Sequence, residues 1–247
     1  MKTVGIHGLG RPRGRRHVRC GHRRLVAVTL TCIVLLTVAS LEPVFAADAN
    51  TIAASGNGAG APACSACHGQ SGEGRPDAGF PRIAGLSAGY LLHQLNDFAS
   101  GARASDIMQP VAKALSEDER QAMATFYASA SASKAPGEEK PDQKAQAAGA
   151  ALAERGLWTK GLPACAQCHG PNGQGVGDTF PRLAGQSSAY IVAQLTAWKN
   201  GQRNNDPLHL MTGIASKLDD KQIAAVAAYY AALDPRTPTA ETKGSTP

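Results

Sequence analysis

The sequence has few aromatic side chains and few methionines. Trp, Tyr and Phe together make up 5% of the 247 residues, and only four methionines are present. A domain of roughly 90 residues with so few large side chains buries little apolar surface when it folds alone. We therefore expect each domain to gain apolar volume from a group bound at its centre.

Basic charge is scarce once the N-terminal segment is set apart. The first 46 residues hold eight of the 25 basic residues and one of the 19 acidic residues, which leaves 17 basic and 18 acidic residues in the rest. After residue 47 no Lys/Arg run is interleaved with aromatic residues. This composition argues against a nucleic-acid partner.

The N-terminal apolar run, roughly residues 25–38, is shorter than the ~20 residues that a membrane-spanning helix needs. It follows a basic segment and precedes Val44-Phe45-Ala46, where small residues stand at a cleavage site. This pattern predicts a signal peptide over residues 1–46 and export to the periplasm. A retained membrane anchor is the alternative interpretation. The paired Arg15-Arg16 is the feature by which a twin-arginine export signal is recognised.

A tandem repeat organises the rest of the chain. The segment PACSACHG at 62–69 returns as PACAQCHG at 163–170, and FPR at 80–82 returns at 180–182. Single residues return as well: Tyr90, Gln94, Leu95, Gly101, Arg103, Asp106 and Met108 correspond to Tyr190, Gln194, Leu195, Gly201, Arg203, Asp206 and Met211. A period of roughly 100 residues is too long for a solenoid repeat and typical of a duplicated small domain.

Composition sets the predicted boundaries. Residues 129–144 are small, charged and contain Pro and Gly, as in an exposed linker. We predict a first domain at 47–128, a second at 145–234, and a flexible tail at 235–247.

The secondary structure is predicted to be helical, with no convincing strand. Apolar residues recur at helical spacing over 88–100 and 188–200. Ser116 precedes three acidic residues, which indicates a helix start. Asp219 and Asp220 indicate a similar start in the second copy. Residues 145–155 form an Ala-rich helix, whereas its Gly-rich counterpart before Cys64 is weak. The fold class is therefore all-α.

The motif Cys-x-x-Cys-His occurs once in each copy. It is formed by Cys64, Cys67 and His68, and again by Cys165, Cys168 and His169. This motif attaches c-type haem: the two thiols form thioethers with the porphyrin vinyl groups, and the histidine binds the iron. The sequence therefore predicts two covalently bound haem c groups, and haem attachment outside the cytoplasm favours Sec export.

Other uses of paired cysteines fit less well. The two knuckles of a zinc ribbon stand 15–20 residues apart, whereas these pairs are roughly 100 apart. A thioredoxin-type redox pair needs a βαβ setting, which is not visible. A disulfide within each pair would leave the repeated histidine unexplained.

The sixth iron ligand is predicted to be Met108 in the first copy and Met211 in the second. Both stand about 40 residues after their histidines. Met123 has no counterpart in the second copy, and we predict that it packs in the hydrophobic core. His93 and His209 are rivals, but neither repeats. Met/His ligation raises the reduction potential and fills both axial positions, which suits electron transfer more than catalysis.

Further residues are candidates to support the haems. The carbonyls of Pro81 and Pro181 are available to accept the second ring N–H of each ligand histidine. Side chains that could bond the haem propionates, or simply pack, are Tyr90, Tyr190, Trp198, Arg82 and Arg182.

Taken together, these motifs resemble dihaem cytochrome c4. Cys-x-x-Cys-His, then Phe-Pro-Arg-x-Ala-Gly, then a Tyr-x-x-x-Gln-Leu helix and a Met all occur twice across residues 50–234. The resemblance implies two tandem class I cytochrome c-like domains, each wrapped around one haem, with the haems edge to edge. It implies a periplasmic carrier, often membrane-associated, between a quinol-oxidising complex and a terminal oxidase.

Competing functions share these motifs. The chain could be the cytochrome subunit of a periplasmic dehydrogenase of the sulfide or alcohol type, with that enzyme as electron donor. A dihaem peroxidase or a haem-based gas sensor needs an open iron position, and the repeated methionines argue against both.

Overall fold

The computed structural model describes residues 48–138, 140–206 and 208–236, all within one compact unit. The predicted signal peptide, 1–46, and residues 237–247 of the predicted tail lie outside the described residues. No helix in the described part of the chain is long and apolar enough to cross a bilayer.

Helices joined by long loops make up the described chain, which pairs its backbone between neighbouring segments only in isolated bridges. The all-α prediction is thereby confirmed. The described residues form α1 (Ala49–Ser55), α2 (Ser65–His68), α3 (Ala88–Ser100), α4 (Met108–Ala114), α5 (Glu117–Ser129), α6 (Gln143–Arg155), α7 (Ala166–His169), α8 (Ser188–Lys199), α9 (Leu210–Ala215) and α10 (Asp220–Ala232).

Helices α3 and α8 occupy equivalent places and begin in the same way. Ser87 caps α3 by accepting a hydrogen bond from the backbone N–H of Tyr90, and Ser187 caps α8 in the same way. Gly101 ends α3 in the left-handed conformation, at a φ of 86°. Both helices match the predicted ranges to within one residue because caps and periodicity agree.

The last helix of each domain starts with a reciprocal cap. Ser116 and Glu119 form a capping box at α5, and Asp219 and Gln222 form one at α10. Each helix turns its aromatic pair toward a core, and Tyr230 is almost fully buried.

The weak helix before Cys64 is short but well anchored. Asp48 caps α1, and Ile52 on it is fully buried in the first core beside Leu91 and Tyr127. In the second domain the longer α6 packs closely on α10. The glycines before Cys64 follow α1 rather than lying within it, and the first of them, Gly56, ends the helix.

The segment between the domains is only partly exposed. Ala135 in it is buried, and its backbone N–H donates to the carbonyl of Gly185. The Glu138 carboxylate accepts from the backbone N–H and the hydroxyl of Ser188 at 2.8 and 2.7 Å. Pro235, at the start of the predicted tail, accepts a hydrogen bond from Arg182.

Arg82 joins the two domains. Its side chain is fully buried and donates to the carbonyls of Ala84, Ala184 and Gly185, while Gln186 exchanges two hydrogen bonds with its backbone. Burial, together with the charge of Arg182, lowers the pKa of this guanidinium to about 10. The junction therefore carries a buried cation that is satisfied by backbone carbonyls rather than by a carboxylate.

Candidate functional site

Each Cys-x-x-Cys-His motif forms one short helical turn. The backbone N–H of His68 donates to the carbonyl of Cys64 at 2.9 Å, and His169 bonds to Cys165 at the same distance. Residues three apart on a helical turn share a face, so both thiols of a pair face the same side. None of the four described cysteines forms a disulfide.

Each motif histidine is buried and fixed through one ring nitrogen. Nδ1 of His68 lies 2.9 Å from the Pro81 carbonyl oxygen, and Nδ1 of His169 lies 2.8 Å from that of Pro181, as the sequence predicts. Burial lowers the pKa of both imidazoles, and the proline carbonyls oppose this only in part. A neutral ring that donates from Nδ1 presents the lone pair of Nε2 to a metal.

In each domain one glycine, not predicted from the sequence, stabilises the loop that follows the motif histidine. Gly74 donates its N–H to the His68 carbonyl at 2.7 Å, and Gly175 bonds to His169 at 2.8 Å. A Cβ at Gly74 would lie 2.6 Å from the backbone nitrogen of Arg82, and its φ is 88°. Only glycine permits this close approach. The sequence feature that could have identified these two glycines is that each stands six residues after its motif histidine.

Met108 and Met211 lie in the first turns of α4 and α9. Both are half-buried. The backbone N–H of Met108 donates to the Ser105 hydroxyl at 3.0 Å, and that of Met211 donates to the Asp206 carboxylate at 2.8 Å. The backbone of each methionine is therefore held by a side-chain acceptor a few residues upstream, which is a hydroxyl in the first domain and a carboxylate in the second.

The rival histidines lie in different settings. Nε2 of His93 lies 3.0 Å from the Asp97 carboxylate on the next turn of α3, and its side chain is half exposed. His209 is exposed and adopts a left-handed φ of 51° at the start of α9. Neither is oriented by a buried backbone carbonyl as His68 and His169 are.

The residues present fit a covalently held haem. Each domain offers two unpaired thiols on one turn and a buried histidine whose Nε2 is uncommitted. Phe80 and Phe180 approach the histidine rings edge-on with centroids 6.1 Å apart in both copies. The Trp198 indole nitrogen is buried and lacks an acceptor among the described residues, as expected of a donor facing an anionic group on the cofactor.

The arginines proposed for the propionates are engaged elsewhere. Arg82 donates to backbone carbonyls, and Arg182 donates to those of Gln174 and Pro235. The structure instead brings together Arg103 and Arg203, a repeated pair with no role predicted from the sequence, and both donate to Gln94 and Gln194.

The family profile described as Cytochrome c matches this chain twice, over residues 53–131 and 146–234. The chain belongs to the cytochrome c family. Its two matches coincide with the two copies of the motif, so the cytochrome has two tandem domains and carries two covalently bound haem c groups. It is an electron-transfer protein rather than an enzyme.

Two relatives show which members this cytochrome resembles. It is 48% identical over 206 residues to a protein of Thiomonas intermedia named thiosulfate dehydrogenase electron acceptor, covering 83% of this chain and 93% of that one. It is 39% identical to cytochrome c4 of Pseudomonas aeruginosa, covering 69% of this chain and 83% of the relative. The resemblance to the dihaem cytochrome c4 family is thereby confirmed.

A solved structure extends this comparison. Thiosulfate dehydrogenase TsdBA from Marichromatium purpuratum superposes with a TM-score of 0.72 at 39% identity and covers 78% of this chain. The cytochrome spans 41% of that longer chain.

Proposed function

We propose that this cytochrome is a periplasmic electron acceptor for a thiosulfate-oxidising dehydrogenase. The observation that supports the proposal most is the 48% identity to the Thiomonas protein of that name, over nearly the whole of both chains. This identity supports a donor of the dehydrogenase class, as in the alternative drawn from the sequence, with the dehydrogenase as a separate partner rather than a subunit of the same enzyme. Export rests on the predicted signal peptide, so mature protein should begin at Ala47.

The chain's own residues would hold and orient the two haems. Cys64 and Cys67 attach the first haem, and Cys165 and Cys168 attach the second. His68 with Met108, and His169 with Met211, are the proposed axial pairs. When bound, each haem supplies a one-electron couple whose potential is raised by the thioether ligand.

The protein's contribution is to keep this geometry constant. The proline carbonyls hold the imidazole rings through Nδ1, and the buried setting keeps those rings neutral and excludes water. With a histidine and a methionine held ready in each domain, the same two side chains would bind the haem in both of its oxidation states.

The electron count suits the proposed donor. Joining two thiosulfate ions through a new S–S bond releases two electrons and no protons, and two haems accept one electron each. One cytochrome would therefore take up both electrons of one turnover.

A second candidate is a carrier between a quinol-oxidising complex and a terminal oxidase. The observation that favours it is the 39% identity to cytochrome c4. The two candidates differ in electron donor, and this difference can be measured.

The test is reduction of the purified ferric cytochrome by a thiosulfate dehydrogenase supplied with thiosulfate, followed by haem absorbance in a stopped-flow instrument. We expect rapid uptake of two electrons per chain and none when thiosulfate is omitted. A parallel reaction supplies ubiquinol and a bacterial quinol-oxidising complex. Faster reduction in this second reaction, with slow reduction by the dehydrogenase, would overturn the proposal in favour of the second candidate.

A further inference from the structure

The segments that lead into the two methionine helices differ in length. Asp106 and Asp206 correspond in the repeat, but Asp106 precedes Met108 by two residues whereas Asp206 precedes Met211 by five. The backbone N–H of His209 donates to the Asp206 carbonyl at 2.9 Å, so the longer segment turns back on itself. His209 has a left-handed φ of 51°, which residues other than glycine rarely adopt. This turn is a feature of the second domain only, because the first copy lacks the residues that form it.

The Asp206 carboxylate lies against the first residues of α9. Its Oδ2 accepts from the backbone N–H of Met211 at 2.8 Å and from that of Thr212 at 3.2 Å. Its Oδ1 accepts from the Thr212 hydroxyl at 3.2 Å. Both oxygens act as acceptors, which is the arrangement of an ionised carboxylate. Three hydrogen bonds therefore fix a negative charge against the backbone of the proposed iron ligand.

A neutral group takes this place in the first domain. The backbone N–H of Met108 donates to the hydroxyl of Ser105 at 3.0 Å. Asp106, the repeat equivalent of Asp206, is exposed and takes no part in that contact. The two proposed methionine ligands are thus held by an uncharged side chain in one domain and by an anionic side chain in the other.

No ion pair offsets the charge of Asp206 within the described part of the chain. The salt bridges of those residues are formed by other carboxylates. The Asp206 side chain is also partly buried, whereas Asp106 is exposed. Water and salt screen exposed charges strongly and partly buried charges much less. The Asp206 charge should therefore act on a metal bound by Met211 more strongly than the Asp106 charge acts on one bound by Met108.

We propose that Asp206 is a positioning residue for Met211 and that its charge lowers the reduction potential of the second haem. The inference rests on the Met211 ligation proposed above. Oxidation of an iron adds one positive charge, which a nearby carboxylate stabilises, so the ferric state is favoured over the ferrous state. Ser105 holds the backbone of Met108 without a charge, so this effect is confined to the second haem.

The test of the charge is potentiometric titration of the dihaem protein with Asp206→Asn. Asparagine keeps an oxygen that accepts from the Met211 N–H and an NH₂ that can donate to the Thr212 hydroxyl, so the contacts persist while the charge is lost. We expect the midpoint of the second haem to rise by at least a threefold change in the reduction equilibrium, ~28 mV at ~59 mV per tenfold change. The midpoint of the first haem should move by less.

Asp106→Asn is the matched control, because it removes one charge at the equivalent position of the repeat. It should move neither midpoint by a threefold change, since that carboxylate is exposed. The second haem is identified as the one whose midpoint falls in Met211→His. A second midpoint that stays fixed or falls in Asp206→Asn, or an equal rise of the first midpoint in Asp106→Asn, would overturn the role of the charge. Unmoved midpoints in Met211→His would instead overturn the ligation itself.

A second readout reports how firmly Met211 is held. A bond from methionine sulfur to ferric iron gives a weak charge-transfer band in the red, and added imidazole abolishes this band as it displaces the methionine. Asp206→Ala loses all three contacts, so half of the band should disappear at a severalfold lower imidazole concentration than in Asp206→Asn or Asp106→Ala. Equal concentrations would show that Asp206 does not position Met211. Neither measurement includes a dehydrogenase, so both outcomes are independent of the proposed electron donor.

Discussion

Nδ1 of His169 lies 2.8 Å from the carbonyl oxygen of Pro181, and this bond leaves Nε2 as the ring nitrogen that is available to a metal. Pro181 lies in a loop, because proline lacks an N–H and does not fit the interior of a helix. Its carbonyl oxygen is therefore not used in a helical hydrogen bond. The same relationship recurs between His68 and Pro81 at 2.9 Å. The surroundings of the two motif histidines are thus alike, whereas the backbone contacts of Met108 and Met211 differ.

Met211→His should lower the potential of one haem and leave the other almost unchanged. An imidazole in place of a thioether favours ferric iron, and axial ligands adjust haem potentials over a range of ~0.8 V. Spectroelectrochemistry would show one midpoint falling, and Met108→His should lower the other. Met123→Leu, a change at a buried core methionine, is the matched control. A midpoint that stays fixed in Met211→His would remove Met211 as a ligand.

Replacing Cys165 and Cys168 with alanine should leave one haem per chain. The thioethers to the second haem cannot form, while the first motif stays intact. Pyridine haemochrome absorbance per chain, with intact mass, measures the haem number. Cys64→Ala with Cys67→Ala should give the same number from the other domain. Two haems in either double variant would contradict the assignment.

Gly149→Ala should destabilise the second domain by about 1–3 kcal/mol, the usual cost of overpacking. A Cβ there would lie 2.3 Å from the Ala225 carbonyl oxygen and 2.5 Å from the Tyr229 Cβ, so α6 would have to move away from α10. Thermal unfolding measures the change. The matched control is Ala148→Ser on the exposed face of the same helix, expected within about 0.5 kcal/mol of wild type.

Arg82→Lys should destabilise the whole chain although the charge is kept. A lysine cannot reach three carbonyls at once, and each buried acceptor left unsatisfied costs about 1–3 kcal/mol. Calorimetry should show a lower Tm and separate transitions for the two domains. Arg75→Lys, at an exposed arginine, should leave the Tm unchanged. A single unshifted transition in Arg82→Lys would show that this arginine does not join the domains.

The free energy of unfolding should fall at high pH because of the buried phenol of Tyr229. Burial, and then the hydrogen bond to the Glu154 carboxylate at 2.9 Å, raise its pKa to about 12. The pKa of Tyr229 in the folded state lies above the unfolded value of about 10. The protonated phenol therefore contributes fully to the free energy of unfolding below about pH 10, and this contribution is lost as the pH rises toward 12. Melting temperatures across this window should fall less steeply in Tyr229→Phe than in wild type. Equal slopes would contradict this.

The sequence predicted those parts of the molecule that depend on local pattern. The helices at 88–100 and 188–199, the caps at Ser116 and Asp219, and the proline partners of the histidines all follow from spacing within one copy. Local pattern does not determine what happens between copies. By its sequence Arg82 is a candidate either to bond a propionate or to pack, and burial at the junction directs it to carbonyls of the other domain.

The same limit explains why the sequence does not predict the contact between Arg103 and Arg203. The repeat revealed that Arg103 and Arg203 correspond, but a repeat gives no information on whether two equivalent residues meet. Their contact depends on the packing of one domain on the other. Gly74 and Gly175 were missed for a related reason, because the close approach of two loops is a tertiary property.

The buried anchorage of Arg82 and Gln186 between the domains bears on how an electron crosses the molecule. Domains tied by a flexible tether exchange electrons only after they diffuse into contact, and that search slows in a viscous solvent. Here the two halves are already fixed to each other through fully buried hydrogen bonds. The internal hop should therefore keep its rate in concentrated glycerol, while encounters with donor and acceptor proteins slow down.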